Sequence, residues 1–151
     1  MDEEIGMYLR VIEQGLVSIV SCFDGLSPAE VHAHPIAGAN SLAIIVRHSL
    51  ANAHRNVLAS FAGEPYDYHR DAEFVDDGET VASMVATWAE LRERMHKALA
   101  PFTAADLPTP REHARMGTVP GRRVLLQAAI HVAEHSGEAQ LTRQLVIAQR
   151  M

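Results

Sequence analysis

Only one cysteine, Cys22, occurs in the 151 residues, so no intramolecular disulfide and no thiolate metal cluster can form. Cys22 has no basic neighbour in sequence that would lower its pKa, and it reads as a reduced core residue. No apolar run looks long enough to span a bilayer. The chain opens with Met1-Asp2-Glu3-Glu4, acids where a secretory signal carries bases, so the expectation is a cytoplasmic protein with no membrane partner. Positive charge is in deficit: 13 Lys and Arg against 19 Asp and Glu give a net charge of -6 with His neutral. The bases are also scattered, which disfavours nucleic acid as a partner. Alternating strand patterns, hairpin signals, internal repeats and low-complexity tracts are missing. So are a serine nucleophile elbow and a glycine-rich phosphate loop. What remains is metal chemistry or a bare scaffold.

Hydrophobic residues make up 48% of the chain and charged residues 21%, ordinary globular values. A chain of this length buries about 70% of the surface its unfolded form exposes, enough for one core, so residues 1–151 are expected to form a single domain. From Glu4, the residues Ile5, Tyr8, Leu9, Ile12, Leu16, Ile19, Val20 and Phe23 recur at spacings of three and four, the pattern of an amphipathic helix. Asp24-Gly25 ends it. Ser27-Pro28-Ala29-Glu30 has the cap, proline and glutamate of a short helical turn within a connection. Asn40-Ser41 caps a second long helix, with Ile44, Ile45, His48, Ala51 and Leu58 on one face, and Gly63-Glu64-Pro65 stops it. The acidic stretch from Tyr66 to Glu79 reads as an exposed loop. A third helix runs from about Thr80 to Pro101, burying Val81, Met84, Val85, Trp88, Leu91, Met95 and Leu99. Thr103 to Pro120, with three prolines and a glycine, is a second long loop with one helical turn at Thr103 to Asp106. No proline interrupts Gly121 to Met151, the fourth helix. The fold class is therefore all-α, a four-helix bundle with two long connecting loops.

The fourth helix carries His131-Val132-Ala133-Glu134-His135-Ser136-Gly137-Glu138. Residues four apart stack on one helical face, so His131 and His135 present two imidazoles at the spacing a divalent metal accepts. The rest of that face is apolar: Val124, Ala128, Ala139 and Val146. Inward-facing imidazoles need partners for their ring nitrogens, and a metal is one such partner. Hydrogen bonds to backbone or carboxylate are the other. His48, alone on the inward stripe of the second helix, is the best-placed third ligand. Three neutral imidazoles make an open site in which water or substrate completes the shell, with zinc the first candidate and nickel, iron and manganese the alternatives. Glu138, one turn beyond His135, is the better candidate for orienting a ligand, and Glu134 the weaker one. His32 and His34 read as solvated, and His54, His69, His96 and His113 have no context that nominates them.

Asn40-Ser41-Leu42 leading into a helix with His48, together with His131-Val132-Ala133-Glu134-His135, Gly137-Glu138 and Gln140-Leu141-Thr142-Arg143, resembles the DinB-like superfamily. The resemblance extends over nearly the whole chain, including the connector Leu26-Ser27-Pro28-Ala29-Glu30. It implies a four-helix bundle, often dimeric, whose three metal-binding histidines fall on His48, His131 and His135. It also implies a metal that activates a low-molecular-weight thiol, such as mycothiol or bacillithiol, for transfer or isomerisation of small electrophiles. His131-x-x-Glu134-His135 matches the inverted zinc-peptidase pattern too, but that pattern needs a further acidic ligand well downstream, and only sixteen residues follow His135. The expected function is a metal-dependent thiol transferase acting on a small molecule. Its rivals are a non-catalytic metal-binding or stress-response bundle and a metal-water hydrolase. A homodimer is expected as well, because long amphipathic helices in so apolar a chain leave faces to bury.

Overall fold

In the computed structural model, which describes residues 1–150, four long helices form the bundle. Helix α1, Glu3–Val20, starts where the Asp2 carboxylate accepts hydrogen bonds from the Glu4 and Ile5 amides. It ends in a 3-10 turn, Ser21–Phe23, before Gly25 reverses the chain at φ 74°. Its stripe of Ile5, Leu9, Ile12, Leu16 and Ile19 is fully buried. Contrary to expectation, Glu3–Phe23 is long and apolar enough to cross a membrane by length and composition. In the structure its apolar stripe faces the other helices. The four-residue α2, Pro28–Val31, carries the expected capping box, with Ser27 and Glu30 satisfying each other's amides.

Helix α3, Leu42–Ala53, is capped by Ser41 and continues as wider π-helical turns over His54–Phe61. Near the start of these wider turns the Asn56 side-chain amide donates to the Asn52 carbonyl at 2.9 Å. Helix α4, Val81–Leu99, is capped by Thr80 and buries Met84, Trp88, Leu91, Met95 and Leu99. Val85, expected on that face, is 42% exposed: it lies one residue past Met84, about 100° around the helix. Helix α5, Gly121–Ala148, buries Val124, Ala128, Ala139 and Val146 as its periodicity demanded.

Side-chain pairs fix the directions of the helices. Glu4 meets Arg122 and Ser18 meets Ser136, so α1 and α5 run parallel. Gly15 lies where an added Cβ would sit 2.6 Å from Val132, so these two helices approach closely. His48 meets His131 while Gly121 abuts Phe61, so α3 and α5 are antiparallel. Arg47 pairs with Glu79 and Arg94 approaches His54, which makes α3 and α4 parallel. Two parallel neighbours must be joined by a segment that returns along the bundle. That task falls to residues 64–80.

Both long connections differ from expectation. The stretch from Tyr66 to Glu79 is more than an exposed loop: it contains a 3-10 turn, Arg70–Phe74, and Glu73 is only 5% exposed. The segment is polar because some of its polar groups face inward to buried partners. Within Thr103 to Pro120 the helical turn at Ala104–Asp106 forms as read, but an antiparallel hairpin follows, with β1 (Pro110–His113) paired to β2 (Gly117–Pro120). The hairpin has little signature in sequence, because each strand has four residues, bounded by proline and lacking apolar alternation. Gly117, at φ 68° after a three-residue loop, was the available signal.

Candidate metal centre

Stacking one turn apart on α5 brings the rings of His131 and His135 to a centroid distance of 4.3 Å. Antiparallel packing of α3 against α5 places the His48 ring 4.8 Å from His131 and 4.9 Å from His135. One nitrogen from each ring then lies within 4.8 Å of the others, and the Nε2 atoms of His48 and His131 approach to 2.9 Å. Such a cluster of imidazole nitrogens, two on one helix and one on its neighbour, has the chemistry of a divalent-cation site. Protonating all three rings would place like charges in contact. Burial drives the His131 pKa down to about 3, helped by the nearby His135 and His48 and then by Arg55 and Arg115. A neutral ring keeps a lone pair for a metal.

Carboxylates hold two of the rings from behind. Glu73 accepts from His48 Nδ1 at 2.7 Å, and Glu138 accepts from His135 Nδ1 at 2.5 Å. Each bond ties up Nδ1 and leaves Nε2 turned to the cluster. Hydrogen bonding to His135, ahead of other effects, keeps the Glu138 carboxyl below its usual pKa. Glu73 also accepts from buried Arg55 at 3.1 Å, and the Arg55 guanidinium lies 4.5 Å over the Tyr68 ring. Phe74 rests against His48 with centroids 4.6 Å apart. The returning segment therefore delivers both a carboxylate and an aromatic ring to His48. His131 differs from the other two: its Nδ1 is buried and has no hydrogen-bond partner among the described residues.

The sequence nominated His48, His131, His135 and Glu138, and the structure brings these four together. Glu134 is exposed and makes no hydrogen bond to the cluster among the described residues. The reason is angular: three residues from His131 and one from His135, it projects off their shared face. Glu73 and Arg55 escaped the sequence reading, because nothing local in an acidic loop distinguishes the one glutamate that turns inward. His113 escaped as well. It is 6% exposed, donates from Nε2 to Asn56 at 3.0 Å, and accepts at Nδ1 from the backbone N–H groups of Arg115 and Met116, both at 3.1 Å. It therefore pins the hairpin turn onto α3. His32, expected in solvent, instead bonds Asp76 at 2.7 Å and the Glu79 carbonyl at 3.1 Å, tying the connector after α2 to the segment that precedes α4. His34 bonds the Ala39 carbonyl at 2.7 Å.

A cavity of about 220 Å³ opens beside the cluster. His131 forms part of its wall, with Asn52, Asn56, His113, Gln127 and three arginines. A second cleft of about 250 Å³ lies between α3 and α4, lined by Leu50, Met84 and Leu91 below Tyr66 and Arg94. None of the three clustered histidines reaches that cleft, so the first cavity is the one placed for chemistry.

A family model described as mycothiol-S-transferase matches residues 8–148. No curated protein matches the chain. Among solved structures, YfiT from Bacillus subtilis, described as a probable metal-dependent hydrolase with an unusual four-helix bundle topology, is similar with a TM-score of 0.74 at 14% identity. The match spans 95% of this chain and 89% of YfiT. A conserved protein from Enterococcus faecalis is similar with a TM-score of 0.74 at 17% identity, over 98% of this chain and 99% of its own.

Proposed function

We propose, from the premise that this chain belongs to the mycothiol-S-transferase family, that it is a metal-dependent enzyme joining a low-molecular-weight thiol to a small electrophile or using that thiol to isomerise one. The observation that supports this reading is the open set of three imidazoles, two of them backed by carboxylates, at the edge of a polar cavity. His48, His131 and His135 would hold a divalent ion, with zinc the first candidate and nickel, iron and manganese the alternatives. Bound there, the ion would supply Lewis acidity and so raise the fraction of thiol present as nucleophile at neutral pH. The chain's own residues do the rest. Glu73 and Glu138 fix the ring orientations, Phe74 and the surrounding helices shield the nitrogens, and the cavity holds the reactants beside His131.

Elemental analysis of protein purified without an affinity tag is expected to find about one divalent ion per chain, and His131→Ala or His135→Ala is expected to lose it. A metal that binds only the folded state stabilises it by about 2.7 kcal/mol at one hundred times its dissociation constant, so chelation should lower the melting temperature. Metal-loaded protein incubated with bacterial thiols and an electrophile should form conjugate. Absence of metal, or absence of conjugate with every such thiol, overturns the proposal.

Hydrolysis is the second reading, in which the same Lewis acidity activates water. It is favoured by the description of the B. subtilis protein, whose fold this chain shares. Turnover that persists without thiol selects hydrolysis. Loss of both activities with metal still bound selects a non-catalytic binding module.

We propose in addition that the protein is a homodimer. Met7, Val11 and Val17 on α1 and Leu126, Ile130 and Leu141 on α5 are all at least 40% exposed, an apolar burden on two adjacent helices. A monomer mass by light scattering at micromolar concentration would remove this proposal.

A further inference from the structure

The cavity beside His131 contradicts the charge of the protein as a whole. The chain carries a net charge of -6, yet Arg55, Arg115 and Arg123 converge on this one cavity and no aspartate or glutamate lines it. Arg55 is already neutralised by Glu73. Arg115 and Arg123 are exposed, and neither forms an ion pair among the described residues; Arg10, Arg70, Arg111 and Arg143 also form none but do not line this cavity. Two unpaired guanidiniums at the mouth of a polar cavity form a recognition element for an oxyanion, because their planar forks match carboxylate and phosphate geometry.

The floor of the cavity points the same way. Asn52, Asn56 and His113 are each no more than 6% exposed, so the polar groups there are built in and held. His113 takes the Arg115 backbone N–H, so the residue that anchors the hairpin turn also positions the arginine over the cavity. A second and independent observation is the buried, unpartnered Nδ1 of His131. When a metal takes Nε2, Nδ1 carries the proton, and this donor lacks the carboxylate that His48 and His135 possess. In the metal-bound form a buried donor without an acceptor is unfavourable, and an anionic oxygen that reaches it from the adjoining cavity removes that cost.

We infer that the small molecule acted on at this site carries an oxyanionic group, a carboxylate or a phosphate, held by Arg115 and Arg123 in the cavity walled by His131. The inference rests on the proposed reading of the cluster as a catalytic metal site for its place in turnover, but the anion subsite itself consists of residues of this chain and exists without the ion. A substrate so held has its charged end fixed at the hairpin, with the remainder directed to the three histidines. Neutral polyols and hydrocarbons of the same size are discriminated against, because they leave two guanidiniums unsatisfied.

The test is calorimetric titration of metal-free and zinc-loaded protein with succinate, inorganic phosphate and the neutral succinamide, with metal content measured on the same samples. Succinate or phosphate should bind the metal-free protein at least about tenfold more tightly than succinamide, the scale of one charge-assisted hydrogen bond. Which of the two binds more tightly identifies the oxyanion. The double variant Arg115→Gln, Arg123→Gln should lose that preference while keeping its metal content and melting temperature, since both side chains are exposed. Anions binding no better than succinamide, or binding unchanged in the double variant, overturn the inference and leave the metal reading intact. Zinc that fails to bind overturns the metal reading, whereas the titration of metal-free protein still decides the subsite. In turnover, 3-mercaptopropionate should outperform its amide if the thiol carries the anion. If instead the electrophile carries it, the two thiols perform alike and a carboxylated electrophile outperforms its amide.

Discussion

His48 donates from Nδ1 to a carboxylate oxygen of Glu73 at 2.7 Å, across 25 residues of chain, and the other oxygen of the same carboxylate accepts from Arg55. One glutamate thus orients a candidate metal ligand and neutralises a buried guanidinium. Glu73→Ala should therefore fail twice. Removing one member of a buried ion pair costs about 3–5 kcal/mol, and losing the residue behind a metal-bound imidazole weakens metal binding about 10- to 100-fold. Glu73→Gln keeps an acceptor for His48 and should retain more metal affinity than the alanine variant. Competition with a chromophoric chelator and thermal melts of both variants check this, and equal zinc affinity in wild type and Glu73→Ala would refute it.

His113→Ala should destabilise without removing metal. The imidazole satisfies Asn56 and two backbone amides at the hairpin turn, so its loss leaves buried polar groups unpaired at a cost of about 1–3 kcal/mol. Zinc content should stay at the wild-type level, because His113 is not one of the clustered rings. Denaturant unfolding together with elemental analysis separates the two effects.

Acidification should destabilise the metal-free protein. Burial depresses the pKa of His131 to about 3, and burial also lowers those of His54 and His113. A histidine whose folded pKa lies below its unfolded value of about 6.5 binds its proton first in the unfolded chain. Stability is then fully present above pH 6.5 and falls as pH drops below it, by at most about 1.4 kcal/mol per pH unit for each such group. Glu138, with its pKa lowered chiefly by the bond from His135, acts in the same direction as pH falls further. Urea midpoints measured from pH 7 to pH 5 with chelator present should decline, and less steeply in His131→Phe. A midpoint that rises on acidification would contradict this.

Gly15→Ala tests the close pairing of α1 with α5. A Cβ there would stand 2.6 Å from Val132 Cγ2 and 2.8 Å from its Cβ, so a branched side chain or a helix must move. Overpacking of this kind costs about 1–3 kcal/mol, and a protein of this size loses roughly 2–4 °C of melting temperature per kcal/mol. Alanine is the better helix former, so an unchanged or raised melting temperature would show that the contact relaxes freely.

Sequence alone determined the helices and the ligand face. A spacing of three and four places Ile5, Leu9, Ile12 and Leu16 on one stripe of α1, and the same geometry stacks His131 on His135, because the helical repeat is local and needs no knowledge of what lies opposite. Ser27, Ser41 and Thr80 marked three helix starts for the same reason: a cap is a bond between residues a few positions apart. Even His48 was legible, since it was the only histidine on an otherwise apolar stripe. Tertiary structure decided everything that depends on partners distant in sequence. Glu73 among the acids of its loop, His113 in a proline-bounded hairpin and the convergence of Arg55, Arg115 and Arg123 on one cavity have no local signature. Exposed and buried polar residues look alike in sequence, and only the parallel course of α3 and α4, which forces the intervening chain back along the bundle, selects which of them turn inward.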